Sequence, residues 1–268
     1  MLKWSANLTM LFKEKPFLER LQTAADAGFR AVEFMWPIGV DLDALVAARA
    51  ASGVEVALFN VDSGDVPAGE RGFPNDPARR EWWLERILVA IELAERLGGC
   101  SRINVQAGNE VPGLSRAEMF DCLAENLAWA LEQSPNITFF LEPLNRFEHT
   151  RYILGRTSDA LEIITRLNHP RLKLQFDVYH TQRTEGNLTK LIQTHFAHIG
   201  HIQIADSPAR NQPGTGEINW KYLLGQLEAL NYTGYIGLEY IPAPDTLGSF
   251  GWLPIEKRGS CSVADLTL

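Results

Sequence analysis

The feature that most constrains the fold is a unit that recurs along the chain: an Ala/Leu-rich segment, a tight turn and an apolar run. Its copies are AADAGF-RAVEFMW, ARAASG-VEVALFN, AERLGG-CSRINVQ, LEQSPN-ITFFLE, TRLNHP-RLKLQFDV and LEALNY-TGYIGLEY. In most copies the helical segment stops at Gly or Asn, residues that tolerate the left-handed conformation at a helix end, and a β-rich run follows. Each copy is therefore half of a βαβ unit.

Two further apolar runs, KWSANLT and HIGHIQIA, bring the strand candidates to eight. The predicted strands end near Asn7, Trp36, Asn60, Gln106, Glu142, Asp177, Gln203 and Glu239. Eight strands that alternate with helices favour a closed parallel barrel, and 268 residues is an ordinary length for one. Because no Pro/Gly/Ser linker divides the chain, we predict a single (β/α)₈ TIM barrel domain of the α/β class over residues 1–268.

An open doubly wound sheet also alternates strands and helices, but it usually has a glycine-rich phosphate turn after an early strand. The segment GTGEINW, with Gly214 and Gly216, follows the seventh strand and lacks a third glycine. We interpret it as a loop that leads into a helix from Asn219. Residues 61–76, DSGDVPAGERGFPNDP, form a long polar loop after strand three. Such loops often cover a barrel active site, although a solvated loop without a role is also compatible with this sequence.

Composition narrows the classes of function. A formal net charge of −8 and the lack of a basic run argue against a nucleic-acid partner. No secretion-type apolar segment or membrane-length apolar stretch is present, so we expect a cytoplasmic protein without membrane contact. Cys100, Cys122 and Cys261 form no CxxC pair, which gives no support for a disulfide framework or a thiolate zinc site.

Oxygen-donor side chains close four consecutive predicted strands. They are Glu142 in FFLEPLN, Asp177 in LQFDVYH, Gln203 in HIQIADS and Glu239 in IGLEYIP. A polar residue on the inward phase at the carboxyl end of a strand points at the barrel mouth, and neighbouring strands lie about 4.8 Å apart. One such carboxylate could equally cap the following helix, but four in a row favour a shared site.

Carboxylates that converge repel one another and raise each other's pKa unless a cation compensates them, which indicates a metal. The ligand set contains only oxygen. Carboxylate and amide oxygens suit Mg²⁺ or Mn²⁺, whereas a zinc site would be expected to recruit His or Cys.

Three side chains beyond the strand ends are candidates for substrate binding. His180 lies three residues past Asp177, on the predicted loop above the metal. Arg146 and Arg210 follow strands five and seven, where either could pair with a substrate carboxylate, although a surface arginine is the commoner case. His201 shares the inward phase one layer deeper, so we expect a hydrogen-bonded core residue there.

With these motifs in place, the chain resembles the hydroxypyruvate isomerase family. This family lies within the xylose isomerase-like barrel superfamily, which also includes tagatose epimerases, inosose dehydratases and endonuclease IV. The likeness covers nearly the whole chain, in KWSANLTMLF, VEFMWP, EPLNRFEH, LQFDVYH, HIQIADSPARNQPGTGEINW and IGLEY. The last four motifs together are specific.

The resemblance implies a metal held by Glu142, Asp177, Gln203 and Glu239. It also implies that the two glutamates are catalytic and that His180 contacts the substrate. Ketose epimerases of the superfamily usually have His in place of Gln203, and an arginine whose spacing Arg210 does not clearly match. That departure favours the isomerase branch.

The predicted reaction converts hydroxypyruvate into tartronate semialdehyde. A metal chelated by the substrate carbonyl and the adjacent hydroxyl would acidify the C–H between them. One glutamate would remove the proton to give an enediolate, and the other would supply a proton on the neighbouring carbon. Oxidation only moves between adjacent carbons, so no nicotinamide or flavin is expected.

Other functions remain open at this point. The nearest is isomerisation of a four-carbon 2-oxo acid such as 2-oxo-tetronate, and a second is 3-epimerisation or dehydration of a larger ketose. A nuclease of the superfamily would need a histidine-rich multi-zinc site and a basic groove. A sugar-acid binding protein is the non-enzyme alternative, although binding alone gives no reason for carboxylates around one ion. The expected partner is a small hydroxy-carbonyl acid, and a homo-oligomer is compatible with the sequence.

Overall fold

The strands form one closed sheet in the computed structural model, which describes all 268 residues. They are β1 (Leu2–Asn7), β2 (Ala31–Phe34), β3 (Glu55–Asn60), β4 (Arg102–Val105), β5 (Thr138–Leu141), β6 (Leu172–Asp177), β7 (Ile199–Ile204) and β8 (Tyr235–Leu238). Each strand pairs in parallel with the next, and β1 pairs with both β2 and β8, which closes the barrel. A short strand, β9 (Ser260–Cys261), adds antiparallel to β1. The predicted (β/α)₈ TIM barrel is confirmed.

The helices are α1 (Glu19–Asp26), α2 (Leu42–Ser52), α3 (Arg80–Arg96), α4 (Arg116–Gln133), α5 (Thr157–Leu167), α6 (Val178–Thr184), α7 (Leu188–His195) and α8 (Trp220–Ala229). Helix α2 stops at Gly53 and α5 at Asn168, both in the left-handed conformation that the sequence pattern predicted. Helices α6 and α7 both lie between β6 and β7, and the helical segments after β8 are all 3₁₀ turns. None of the helices combines the length and apolar character that crossing a membrane requires.

The strand ends lie close to their predicted positions. Strand β2 ends at Phe34 rather than Trp36, whereas β5 and β8 end one residue before Glu142 and Glu239. Helix α8 begins after Asn219, whose side chain caps it by accepting a hydrogen bond from a backbone N–H of the first turn. The barrel therefore delivers the predicted donors to one end of the sheet.

The lumen of the barrel is polar beneath that end. Glu33 on β2 accepts hydrogen bonds from Nε2 of His201 at 2.9 Å and from Nε2 of Gln203 at 2.8 Å, both on β7. Strands β1 and β8 separate β2 from β7 in the sheet, so these side chains meet across the lumen. Gly237 on β8 leaves room for the Glu33 side chain, because a Cβ at that position would lie 2.2 Å from Oε1 of Glu33. His201 is fully buried, as expected of a hydrogen-bonded core residue.

One buried carboxylate organises the loop between β7 and α8. Asp206 accepts hydrogen bonds from Nε1 of Trp220 and from the backbone N–H groups of Ser207, Gly214, Thr215, Gly216 and Ile218. Gly216 approaches so closely that a Cβ would lie 2.1 Å from the carbonyl oxygen of Ser207. The GTGEINW segment is thus a loop, as predicted. Arg210 lies in the preceding turn, where its N–H donates to the carbonyl of Asp206, and its backbone is in the left-handed region at φ 59°.

We expect Asp206→Asn to lower the free energy of unfolding by about 2–4 kcal/mol, because hydrogen bonds to a charged group contribute about 1.5–3 kcal/mol each. The amide would also turn its own N–H groups toward backbone donors. Urea denaturation monitored by circular dichroism measures the change. The matched control is Asp245→Asn, since Asp245 is exposed and accepts a backbone hydrogen bond from Gly248. Equal stability of the two variants would contradict the organising role of Asp206.

Candidate active site

A cavity of about 160 Å³ opens at the carboxyl ends of the strands. It is lined by Met35, Asn60, Val66, Arg71, Gln106, Glu142, Leu144, His149, His180, Arg210 and Glu239. Carboxylates, amides, histidines and arginines outnumber the apolar residues. The lining is therefore suited to a small polar ligand rather than to an apolar one.

Three carboxylates are buried beside this cavity. Glu142 follows β5, Asp177 ends β6 and Glu239 follows β8. Burial raises the pKa of Glu142 well above its ordinary value, and the charges of Glu239 and Asp177 add to the effect. Burial likewise raises the pKa of Asp177. Burial raises the pKa of Glu239 to about 8, although the charge of Arg210 opposes the shift.

Arg210 is brought to the cavity, as the sequence analysis expected, but it is bound to a carboxylate of the protein. Its Nη2 donates to Oε2 of Glu239 at 2.6 Å, and its guanidinium lies 5.1 Å from the centre of the Tyr179 ring. The other oxygen of Glu239 accepts from Nδ2 of Asn7 at 3.1 Å. Both oxygens of Glu239 are thus held in place, and Arg210 is the one cation paired with the carboxylates.

His180 lies in the first turn of α6, so its predicted placement on a loop is wrong. The carboxylate of Asp177 caps this helix, because its Oδ1 accepts a hydrogen bond from the backbone N–H of His180 at 3.0 Å. Nδ1 of His180 accepts from the backbone N–H of Asn145 at 3.2 Å. Since that N–H can only donate, Nδ1 carries no proton and Nε2 does.

Nε2 of His180 lies 3.9 Å from Oδ2 of Asp177. Burial lowers the pKa of His180 well below its ordinary value, and the neighbouring charges of Arg210 and His149 act in the same direction. His180 is therefore a neutral ring with an N–H beside the carboxylates. A ring nitrogen that carries a proton cannot bind a metal, but it can donate a hydrogen bond to a ligand oxygen.

Gln203 on β7 is paired with Asp177 on β6 in the strand register. Hydrogen bonds to two side chains in the barrel lumen fix the orientation of its amide. Its Nε2 donates to Glu33, and its Oε1 accepts from Nε2 of Gln175 at 2.6 Å. The contact with Glu33 determines which end of the amide is oxygen. Oε1 keeps one lone pair, because a carbonyl oxygen has two.

The structure does not bring Arg146 to the cavity. Its side chain is exposed and lies against Gly155, where a Cβ would be 2.1 Å from Nε of Arg146. The cavity instead receives Arg71 from the 61–76 loop, together with Val66. That loop thus covers part of the site, in line with the expectation for a long loop at this end of a barrel.

The sequence analysis missed several polar residues of the site. Asn7, Asn60 and Gln106 were identified only as strand ends, yet Asn60 and Gln106 line the cavity. Asn104 on β4 donates to Oε2 of Glu142 at 2.9 Å, and Oε1 of Gln106 is buried without a partner. The sequence did contain a pattern that could have identified them, because the predicted strands one, three and four also end at amide side chains. Arg71 and His149 had no periodic signal, because both lie in loops.

Part of this cluster could hold a metal ion. Ligand atoms of Glu142, Asp177 and His180 all lie within 4.8 Å of one another. The protonated Nε2 assigned above makes His180 the least suitable of the three. A second group of donors within the same distance, Glu148, His149 and His180, includes an exposed carboxylate.

Comparison with known proteins agrees with this architecture. Residues 21–254 match the family model described as xylose isomerase-like TIM barrel. Hydroxypyruvate isomerase of Escherichia coli (strain K12) is 40% identical over 255 residues, which cover 94% of this chain and 98% of that protein. The 2-oxo-tetronate isomerase of Cupriavidus necator is 39% identical over 253 residues, which cover 94% of this chain and 97% of that protein. The names of these relatives agree with the isomerase class predicted from the sequence.

Solved structures give the same result for the fold. A structure from Brucella melitensis, described as AP endonuclease, family 2, has a TM-score of 0.90 and 34% identity, and the match covers 94% of this chain and 98% of that one. D-psicose 3-epimerase from Clostridium cellulolyticum H10 shares the fold at a TM-score of 0.72 and 17% identity, with 92% of this chain and 88% of that one covered. The resemblance found in the motifs is confirmed, and the chain belongs to the xylose isomerase-like TIM barrel family, with hydroxypyruvate isomerase among its relatives.

Proposed function

We propose that this protein is a metal-dependent isomerase that interconverts hydroxypyruvate and tartronate semialdehyde. The observation that carries the proposal is the burial of Glu142, Asp177 and Glu239 at the barrel mouth, where Glu142 and Glu239 line one small polar cavity and a ligand atom of Asp177 lies within 4.8 Å of one of Glu142. The 40% identity to a hydroxypyruvate isomerase supports the same substrate class. The cavity of about 160 Å³ suits a three- or four-carbon acid and leaves little room for a longer sugar.

The donor set fits a divalent cation. Three buried carboxylates face a single paired guanidinium, so the cluster carries excess negative charge whenever the acids are ionised. Glu142, Asp177 and Glu239 would hold Mg²⁺ or Mn²⁺, and Oε1 of Gln203 offers its remaining lone pair. Such an ion would polarise the substrate carbonyl and lower the pKa of the adjacent C–H.

The two glutamates would carry out the proton transfers. They follow β5 and β8, which are three strands apart in the sheet, so their carboxylates approach a substrate from different sides. One carboxylate removes a proton from C3 of hydroxypyruvate, and the other returns a proton to C2, while the proton of the C3 hydroxyl is transferred to the C2 oxygen. Burial raises the pKa of both groups above the ordinary value of a glutamate, which increases their affinity for a proton, as a general base requires. The N–H at Nε2 of His180 would donate to a substrate oxygen. The reaction needs no nicotinamide or flavin, because it is redox-neutral.

Isomerisation of 2-oxo-tetronate is the second candidate. It uses the same proton transfers on a substrate one carbon longer, and a 2-oxo-tetronate isomerase is 39% identical to this chain. The two substrates differ by a CH₂OH group that replaces one hydrogen on C3, and each keeps a C–H at C3 and a carbonyl at C2, so the carboxylate cluster serves either one.

We expect the protein to convert hydroxypyruvate to tartronate semialdehyde with deuterium from solvent at C2, as followed by NMR in D₂O. Parallel reactions with 2-oxo-tetronate decide between the two substrates. Chelator-treated protein should lose activity and regain it with Mg²⁺ or Mn²⁺, because the carboxylate cluster depends on the cation's charge. Full activity of rigorously metal-free protein would contradict the metal requirement, and turnover of neither acid would reject the proposed function.

We expect the chelated protein to lose stability as the pH rises from 7.5 to 8.5. Glu239 has a pKa of about 8 in the folded state and about 4.3 when unfolded, so its stabilising contribution is complete below the unfolded value and is lost on approach to the folded one. The histidines with lowered pKa act in the opposite direction, because an unfolded histidine still binds protons near its pKa of about 6.5, but above pH 7.5 they are mostly neutral in both states. Differential scanning fluorimetry should show a falling Tm, and added Mn²⁺ should raise Tm more at pH 8.5 than at pH 7.5.

The matched control for this slope is Glu239→Gln, which removes one titrating carboxylate and should make the decline shallower. A chelated wild-type protein whose Tm stays constant or rises over the same range would show that the carboxylates are not held in a proton-binding cluster.

We expect Glu142→Gln and Glu239→Gln each to reduce kcat by at least about 10²-fold, because general acid–base contributions are typically about 10²- to 10⁴-fold. Each amide keeps an oxygen that can ligate but loses the basic carboxylate. Since both act in one proton-transfer sequence, the double variant should lose much less than the product of the single losses. Circular dichroism and metal analysis must show folded, metal-loaded variants. A near-normal kcat for metal-loaded Glu239→Gln would limit Glu239 to a ligand role.

A further inference from the structure

Arg71 is the cation of the cavity that no carboxylate of the protein neutralises. Its Nη1 donates to the backbone carbonyls of Val66 at 3.0 Å and Glu70 at 2.6 Å, and its Nε donates to Nδ1 of His149 at 3.4 Å. None of the ion pairs in the protein involves it, whereas Arg210 is bound to Glu239. Nη2 of Arg71 has no hydrogen-bond partner among the protein groups. A half-buried guanidinium with a free donor that lines a cavity is a binding group for an anion.

The backbone holds Arg71 firmly at this place. Its carbonyl oxygen accepts from the backbone N–H of Gly108 at 3.0 Å, and the next residue, Gly72, donates to the carbonyl of Ser63 at 2.9 Å. Gly72 has φ of +83°, and a Cβ there would lie 2.3 Å from the carbonyl oxygen of Gln106. The loop therefore sits directly on the end of β4 and presents the guanidinium to the cavity with little freedom to move away.

His149 adds a second donor beside Arg71. Its Nδ1 accepts from Nε of Arg71, so in the neutral ring the proton lies on Nε2. The ring centre lies 5.5 Å from that of His180, and both histidines line the cavity. A guanidinium and a ring N–H from two different loops thus face the same small space.

The charges in the cavity determine how an acid substrate can lie in it. Glu142 and Glu239 repel a substrate carboxylate. In the proposed reaction the carbonyl and hydroxyl of the substrate lie beside these two glutamates, so the carboxylate must lie on the other side of the cavity. Arg210 is already neutralised by Glu239, and Arg146 is exposed outside the cavity. Arg71 is the remaining cation that the carboxylate can reach.

We propose that Arg71, together with the N–H at Nε2 of His149, binds the carboxylate of the substrate and makes the site selective for small 2-oxo acids over neutral ketoses. The inference rests on the proposed isomerase function for the identity of the substrate. The anion site itself rests on the geometry of the loop and can be tested without turnover.

The test compares Arg71→Met with wild type on hydroxypyruvate and on dihydroxyacetone, its neutral analogue with CH₂OH in place of the carboxylate. Loss of a hydrogen bond to a charged group should lower kcat/KM for hydroxypyruvate by about 10- to 100-fold, mainly through KM, and leave the value for dihydroxyacetone unchanged. Arg71→Lys should recover part of the loss, since it keeps the charge without the planar fork. Arg146→Met is the matched control and should behave as wild type.

Calorimetric titration with D-glycerate and with glycerol separates this inference from the proposed function. Wild type should bind glycerate in preference to glycerol, and Arg71→Met should lose that preference while keeping its Tm. If wild type isomerises hydroxypyruvate but Arg71→Met keeps the full preference for the acid in both assays, the inference fails and the proposed function stands. An equal loss on both substrates would assign Arg71 a structural role and overturn the inference. If wild type lacks isomerase activity but binds glycerate through Arg71, the proposed function fails and the anion site stands. If wild type neither isomerises nor binds glycerate, both fail.

Discussion

The carboxylate of Glu33, buried in the barrel lumen, orients the side chains on which the site depends. Besides its bonds to His201 and Gln203, it accepts from Oγ of Ser5 at 2.6 Å and from Nδ2 of Asn7 at 3.2 Å. Burial opposes its ionisation, but the charge of His201 and these hydrogen bonds outweigh burial and lower its pKa. An ionised carboxylate without such donors would cost several kcal/mol in this environment. The same donors are thereby fixed, and Asn7 also holds Glu239.

A charge placed beneath the site also alters the acids above it. The negative charge of Glu33 helps to raise the pKa of Glu239, while Arg210 acts in the opposite direction from above. The barrel therefore sets the proton affinity of a strand-end glutamate from both sides, through a lumen carboxylate on one strand and a loop arginine from another. A cavity with this arrangement has an excess of negative charge at the strand ends and a free guanidinium in the covering loop. A substrate with a carbonyl at one end and a carboxylate at the other matches both features.

The parts of the structure that could be predicted from the sequence are those governed by a period. Repeated helix, turn and strand segments determine a parallel barrel, and alternation along a strand places Glu142 and Glu239 at its mouth. Loops have no such period. The sequence analysis selected Arg146 and overlooked Arg71, and only the fold of residues 61–76 over β4 shows that Arg71 is the one that lines the cavity. The role of Glu33 could not be predicted for another reason. It is a single acid in an apolar run, and its hydrogen-bond partners lie on strands that are distant in the sequence.

Helix capping and a shared site were alternative explanations for a carboxylate at a strand end, yet Asp177 both caps α6 and lies within 4.8 Å of ligand atoms of Glu142 and His180. Its Oδ1 caps α6 and fixes the backbone of His180, while its Oδ2 faces the same ring at 3.9 Å. Because the cap determines where the first turn of α6 lies, the acid and the histidine of the DVYH motif cannot move independently. Asn145, in the EPLNRFEH motif, then fixes the proton on the histidine ring. The two motifs thus act as one unit. The start of α6 sets the distance between the Asp177 carboxylate and the neutral His180 ring, and the loop that contains Asn145 sets which nitrogen of that ring donates.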